Sequence, residues 1–209
     1  EALKLQDDFE TMGYLAQVYR QTNQLDEARR LLETMTRHDS NHTATYLALA
    51  NVCYMQEDYP AMAEAAQKAI AIEEGNAMAH YLLGKADNGQ GDDLMCIAHL
   101  TQAIVLKDDF TEARLLRAEA LTKMYQYKEA MEDINAILAQ NDEDESALLL
   151  RGKIKEATGD TAGAEADFMH VTELNPFNEQ GFLYLGQLYI GQKKLTEAIA
   201  LFDEAIDLN

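Results

Sequence analysis

Three groups of side chains in this sequence have types and spacings that could do chemistry. His38 and His42 stand four apart, a spacing that on one continuous helix would turn two imidazoles toward a single metal ion. Arg114, Arg117, Arg151 and Lys155 could build an anion site, and the run Asp142-Glu143-Asp144-Glu145 could offer carboxylates to calcium. The first and last fail on their surroundings, and the anion site stands as the alternative to ion pairing within the fold. Asp39-Ser40-Asn41 breaks the histidine pair with a turn, and no third ligand lies nearby in sequence. The acidic run lacks the alternating spacing and central glycine of a calcium loop, so it is expected to be an exposed turn. Cys53 and Cys96 have neither metal-type nor disulfide spacing, and no glycine-rich phosphate loop, nucleophile elbow or Cys–His arrangement is recognisable. The expectation is a non-catalytic chain with no metal and no cofactor.

Composition narrows the partners. Seventeen basic against 37 acidic residues give a net charge of −20, which repels phosphate backbones and argues against nucleic acid. The acid is spread evenly along the chain, as on a solvated skin. No apolar run is long enough to cross a bilayer, so direct membrane insertion is not expected, and two unpaired thiols favour a reducing, cytoplasmic setting. With 47% apolar residues among 209 but only two prolines and 11 glycines, the chain favours helix.

The elements that must position any site emerge from self-comparison. Stepping back by 34 from Gly186 meets Gly152, Ala118, Gly84, Ala50 and Ala16. The same step from Ala198 meets Ala164, Ala130, Cys96, Met62 and Ala28, and from Phe202 it meets Phe168, Ile134, Leu100, Ala66 and Leu32. Repeats therefore occupy 9–42, 43–76, 77–110, 111–144, 145–178 and 179–209. Residues 1–8, with Ala2, Leu3, Leu5 and Asp7, look like the tail of a preceding unit. Within each unit the apolar residues follow helical spacing, as in Phe182, Leu185 and Tyr189, then Ala198, Phe202 and Ala205. Turn signals such as Asn23, Gly91 and Gly159-Asp160 divide each unit into two helices. First helices are predicted at 10–21, 44–56, 78–89, 112–124, 146–158 and 180–191, and second helices at 25–38, 59–73, 93–107, 127–140, 161–174 and 195–208. Numbering the slots of a repeat from residue 9, the Gly or Ala at slot 8 is expected to face Ala at slot 20 and let the two helices approach closely.

This pattern resembles the tetratricopeptide repeat. Leu148, Gly152, Ala164, Phe168 and Pro176, then Phe182, Leu185, Gly186, Tyr189, Ala198, Phe202 and Ala205, match its signature closely. The resemblance implies an all-α, right-handed solenoid of six 34-residue helix-turn-helix repeats whose concave face binds proteins or peptides. The lysine, asparagine and arginine clamp that some members use for acidic tails is absent. Inner-face asparagines are limited to Asn51 and Asn88, so backbone clamping would be sparse.

Two departures from the pattern carry expectations. Slot 7 is Leu in four units but Arg117 and Arg151 in the fourth and fifth, and only those units place aspartate, Asp133 and Asp167, at slot 23. Arg117–Asp133 and Arg151–Asp167 are therefore expected to be ion pairs joining the helices of each unit. Asp87 and Lys155 replace the tyrosine of Tyr19 and Tyr189; both fit a slot partly open to solvent, and Asp87 alternatively fits a polar spot near His80.

The binding face implied by the resemblance uses slots 5 and 9 of the first helices. Slot 5 reads Gly13, Leu47, Tyr81, Leu115, Leu149 and Leu183; slot 9 reads Gln17, Asn51, Lys85, Glu119, Lys153 and Gln187. Tyr54, Met55, Met78 and Ile190 add apolar surface. An apolar stripe beside a polar one suits a peptide with spaced apolar anchors, although slot 5 could equally complete the packing. Phe202, Ala205, Ile206 and Leu208 stand in slots that another helix would cover. Three functions follow: an adaptor, a structural spacer forming a homodimer through its C-terminal helix, or the recruiting arm of a larger enzyme.

Overall fold

The computed structural model describes residues 2–208, with side chains from residue 8 onward. It contains α1 (Ala2–Gln21), α2 (Leu25–His38), α3 (Thr43–Met55), α4 (Tyr59–Ile72), α5 (Ala77–Gln90), α6 (Asp93–Leu106), α7 (Thr111–Lys123), α8 (Tyr127–Leu138), α9 (Glu145–Ala157), α10 (Thr161–Leu174), α11 (Glu179–Gly191) and α12 (Leu195–Asp207). No strand occurs among the described residues. The architecture is an all-α solenoid of helix-turn-helix repeats, and apart from the start of α1 every helix end falls within two residues of its predicted place. α1 runs through residues 2–8 without a break. The side chains of residues 1–7, on which the preceding-unit expectation rests, lie outside the described residues.

Two compact units divide the chain, residues 1–113 and residues 114–209. In the first, Ala16, Ala28, Leu32, Met35 and Val52 form one core cluster, and Ala50, Cys53, Met62, Ala65, Ala66, Leu82, Leu83 and Ala86 form another. The second is built around Ile134, Ile154, Phe168 and Val171, each at most 2% exposed.

Local chemistry marks both ends of the helices. Asp58, Asp92 and Asp160, all at slot 16, accept the backbone N–H three residues on and so cap α4, α6 and α10. Asn76, Asp144 and Asn178 at slot 34 do the same for α5, α9 and α11. The turn between the two helices of a repeat takes a left-handed residue at slot 15 in all six units: Asn23, Glu57, Gly91, Tyr125, Gly159 and Lys193, with φ between 57° and 89°. Only Gly91 and Gly159 take this conformation without steric cost.

The close approach within a repeat involves a large residue at slot 24 besides the expected slot 20. A Cβ added at Gly152 would lie 2.4 Å from the Phe168 ring, one at Gly186 would lie 2.7 Å from Phe202, and one at Gly84 would lie 2.8 Å from Leu100. Slot 8 thus faces mainly the large residue at slot 24. Slot 20 contributes the Cys96 carbonyl, 3.2 Å from the same point at Gly84. Where slot 8 is alanine, as at Ala16, Ala50 and Ala118, slot 24 is Leu32, Ala66 or Ile134 and never phenylalanine. Phenylalanine at slot 24 thus occurs only opposite glycine, as close packing of a large ring requires, while Ala50 and Ala66 fill the pair with less volume.

The acidic run is also more than an exposed turn. Asp142 and Glu143 are exposed, but Asp144 caps α9 and Glu145 accepts hydrogen bonds from the side-chain amides of Asn175, at 3.1 Å, and Asn178. The carboxylate of one repeat thereby holds the loop that leads into the next.

Candidate functional site

In the second unit, first-helix side chains of three successive repeats surround a cleft of about 410 Å³. α7 contributes Glu119, Thr122 and Lys123; α9 contributes Ser146, Leu149, Leu150 and Lys153; α11 contributes Gln180 and Tyr184. Leu149 and Leu150, 7% and 6% exposed, form an apolar floor under a polar rim. The Lys153 ammonium lies 5.1 Å from the centre of the Tyr184 ring, within cation–π range. Glu119 keeps contact with water, yet burial in the concavity pushes its carboxyl above the usual range, against the opposing pull of Lys123 and Lys153. A side chain can be wet and still surrounded by protein when it stands on a concave surface.

Leu115 and Leu183 are half-buried and Gln187 is exposed, and none of the three lines this cleft. The slot 5 and slot 9 stripes therefore contribute Glu119, Leu149 and Lys153 to it. Tyr184, at slot 6, was not anticipated, because a residue adjacent to the apolar stripe reads in sequence as core. Its half-exposed ring beside Lys153 is a tertiary fact.

The first unit brings together three of the other expected residues. Lys85 on α5 places its ammonium 3.5 Å from the centre of the Tyr54 ring on α3 and 5.9 Å from that of Tyr81. Tyr81 in turn packs on Phe110 at 5.0 Å. Leu47 and Tyr81 are half-buried against the core cluster of α3, α4 and α5, so much of their surface serves packing. Asn51 donates its amide to the Leu47 carbonyl of its own helix at 2.9 Å. It also lines a separate cleft of about 440 Å³ among α1, α2 and α3, beside Gly13, Gln17 and Ala48. That cleft opens at Gly13, where slot 5 lacks the Leu or Tyr of the later repeats.

The charged core residues pair as expected, and each pair recruits a third member. Arg117 donates to both oxygens of Asp133 at 2.7 and 2.6 Å, and Arg114 adds a contact at 3.1 Å. Arg151 donates to Asp167 at 2.9 and 2.7 Å, and the Lys155 ammonium joins at 2.8 Å. Asp133 and Asp167 are 1% and 4% exposed, so these cations neutralise buried carboxylates rather than forming an anion site. Asp87 does not meet His80: it takes the Nδ1 of His99, at slot 23 of its own repeat, at 2.6 Å, while His80 Nε2 lies 3.1 Å from the Glu74 carbonyl. The fifth repeat uses slots 7, 11 and 23 for its polar cluster, the fourth slots 4, 7 and 23, and the third slots 11 and 23, so slot 23 is the shared polar point.

Among the described residues no group of three or more His, Cys, Asp or Glu side chains is placed to hold a metal ion. His42 instead contacts the Thr45 hydroxyl at 2.8 Å and the Phe9 ring edge-on. Cys53 and Cys96 are buried and form no disulfide, and burial pushes the Cys53 thiol up. No described helix is long and apolar enough to cross a membrane.

Comparison with known proteins agrees with this architecture. Among solved structures the chain is similar to a tetratricopeptide repeat protein from Parabacteroides merdae, with a TM-score of 0.85 at 15% identity over 97% of this chain and 80% of that one. It is similar to PilW, a widely conserved type IV pilus biogenesis factor, with a TM-score of 0.82 at 15% identity over 92% and 90%. It is also similar to YrrB, a tetratricopeptide repeat protein with an unusual peptide-binding site, with a TM-score of 0.67 at 19% identity over 85% and 92%. These likenesses establish fold. No curated protein sequence matches. A family model described as the tetratricopeptide repeat matches residues 15–77 and 149–209, more than half of the chain, and with the repeat geometry above it shows that the chain belongs to the tetratricopeptide repeat family.

Proposed function

We propose that this chain is a non-catalytic scaffold that binds a peptide or extended protein segment on the faces of its first helices, with the cleft around Leu149, Lys153 and Tyr184 as the principal site. The observation that carries this reading is the origin of the lining: every residue comes from a first helix, and three successive repeats contribute. Such a surface repeats along the chain as a peptide does. The Leu149 and Leu150 floor suits an apolar anchor side chain, while Ser146, Thr122 and Gln180 offer donors and acceptors for the ligand backbone. Glu119 and Lys153 put both signs of charge on the rim, which favours a ligand of mixed charge. The Tyr54, Tyr81 and Lys85 cluster, with Leu47 and Asn51 beside it, is the corresponding face of the first unit; Leu115, Leu183 and Gln187 would extend the contact beyond the cleft. Buried charges spent on each other, as at Asp133 and Asp167, support a non-catalytic role. Two buried cysteines that form no disulfide support a cytoplasmic setting.

The test is to pan a displayed random-peptide library against the chain and against a Lys153→Glu/Tyr184→Ser variant of unchanged helix content. Leu149 is left intact, because a carboxylate at a 7% exposed position would break the fold. Peptides with spaced apolar residues should bind the chain and lose at least about tenfold in affinity on the variant. Equal binding to both proteins would refute the site.

A further inference from the structure

Two helices of this chain carry open apolar faces. On α1, Tyr14, Leu15 and Val18 are 69%, 41% and 51% exposed; on α12, Leu195, Ile199 and Ile206 are 59%, 61% and 71% exposed. Isolated exposed apolar residues need no explanation, but these lie at slots 6, 7 and 10 of a first helix and slots 17, 21 and 28 of a second helix.

Inside the chain those slots are partners. At the α4–α5 junction Leu82, Leu83 and Ala86, slots 6, 7 and 10, share one cluster with Ala65 and Ala66, against which Ala63 and Ile70, slots 21 and 28, also pack. At the α2–α3 junction Val52, slot 10, is buried with Leu32 and Met35. Slot 10 is then closed in every later repeat: Val52, Ala86, Ala120, Ile154 and Leu188 are all at most 3% exposed. Only at Val18 is it open.

Charge is matched at two junctions, whereas Ala63 and Met131 at slot 21 leave Asp92 and Asp160 at slot 16 without an opposite charge there. Arg29, at slot 21, reaches Asp58 at 2.7 Å and Gln56 at 3.2 Å, slots 16 and 14 of the following repeat. Glu165, also at slot 21, takes Gln192 at 3.1 Å and Lys194 at 3.5 Å from those same slots with the charges reversed. Slot 21 of α12 is the neutral Ile199, and slots 14 and 16 after α1 are the neutral Thr22 and Gln24. Bringing α12 onto α1 strands no charge at this position.

We propose that the occupant of these faces is a second copy of this chain: α12 of one molecule docks on α1 of the next as α4 docks on α5, so that copies join head to tail. The interface is heterologous, and association proceeds past the dimer unless a ring closes. Burial of apolar surface drives it and the net charge of −20 opposes it, so added salt strengthens it. The proposal is independent of the peptide cleft, whose lining residues it does not use.

Light scattering of the 209-residue chain over a wide concentration range, at low and high salt, tests it. The expected result is a mass that climbs with concentration and with salt. Val18→Asp and Ile199→Asp, both at positions exposed in the single molecule and therefore compatible with folding, should each weaken self-association by at least about a hundredfold. Mixed together the two variants should form a one-to-one pair and stop there, since each keeps the face that the other lacks. A monomer under all conditions overturns the proposal and leaves the faces to helices of other origin. A closed dimer lost with Ile199→Asp but untouched by Val18→Asp also overturns it, as does a mixture that fails to pair.

Discussion

Replacing Gly152 with alanine should destabilise the fifth repeat even though alanine is the better helix former. The added methyl would stand 2.4, 2.8 and 2.9 Å from three atoms of the Phe168 ring, against an optimum of about 3.5–4.0 Å. Phe168 is fully buried and stacks at 5.7 Å on Tyr184, so the ring cannot swing into solvent. Overpacking of this kind costs about 1–3 kcal/mol and the gain in helix propensity returns about 1, and a contact this short places the cost at the upper end. The expected net loss is about 1–2 kcal/mol. Phe168→Ile alone should also destabilise, by about 1–2 kcal/mol, through the cavity it leaves. The double variant should lie within about 1 kcal/mol of the parent, because Ala118 and Ile134 fill the same two slots of the fourth repeat, both fully buried. Denaturant unfolding followed by helix content, with hydrogen exchange of α9 and α10 to localise the change, measures all three; exchange matters because a repeat array need not unfold in one step. A neutral or stabilising Gly152→Ala, or a double variant whose loss equals the sum of the singles, would refute the volume-matching argument.

Other outcomes follow from the same slot logic. Asp167→Ala strips the partner from Arg151 and Lys155, whose side chains are 26% and 22% exposed, and should cost about 3 kcal/mol; Arg151→Leu/Asp167→Leu, which copies the Leu15 and Leu31 of the first repeat, should cost less than about 1. Unfolding midpoints in urea would decide, and equal losses for the two variants would contradict the pairing account. Glu57→Gly and Lys193→Gly relieve φ angles of 57° and 62° at exposed turn positions and should each stabilise by about 0.5–1 kcal/mol, whereas Gly91→Ala and Gly159→Ala should do the reverse. Thermal midpoints that move the opposite way would show that the turns are not strained.

The period of 34, the pairing of helices and their ends were legible in the sequence because they rest on local rules. Helical spacing, small residues at a crossing and turn signals act within a few residues of each other, and repetition averages out their exceptions. The Arg151–Asp167 pair was legible for a similar reason: two rare charges co-occurring at slots 7 and 23 imply contact once the repeat is aligned.

What the sequence left open depends on long-range placement. Slot 8 was expected against slot 20, and the sequence did not reveal that the large residue at slot 24 crowds the glycines still more closely, since that turns on the rotation of one helix about its axis, which a periodic pattern leaves undetermined. Asp87 had two available histidines, and only the packed repeat put it on His99 rather than near His80. After Gly13 the expected stripe at slot 5 was large and apolar throughout, yet Leu149 is a buried floor and Leu47 and Tyr81 are shared with the core. Exposure is set by the neighbouring helix, and the neighbour of a residue across a junction is invisible to local spacing. By itself the sequence determined the repeat and the inventory of side chains in each slot. The tertiary structure alone decided which slots meet, which charges are consumed in pairs and where an accessible concavity remains, because those depend on how helix faces turn toward one another when the apolar surface is buried.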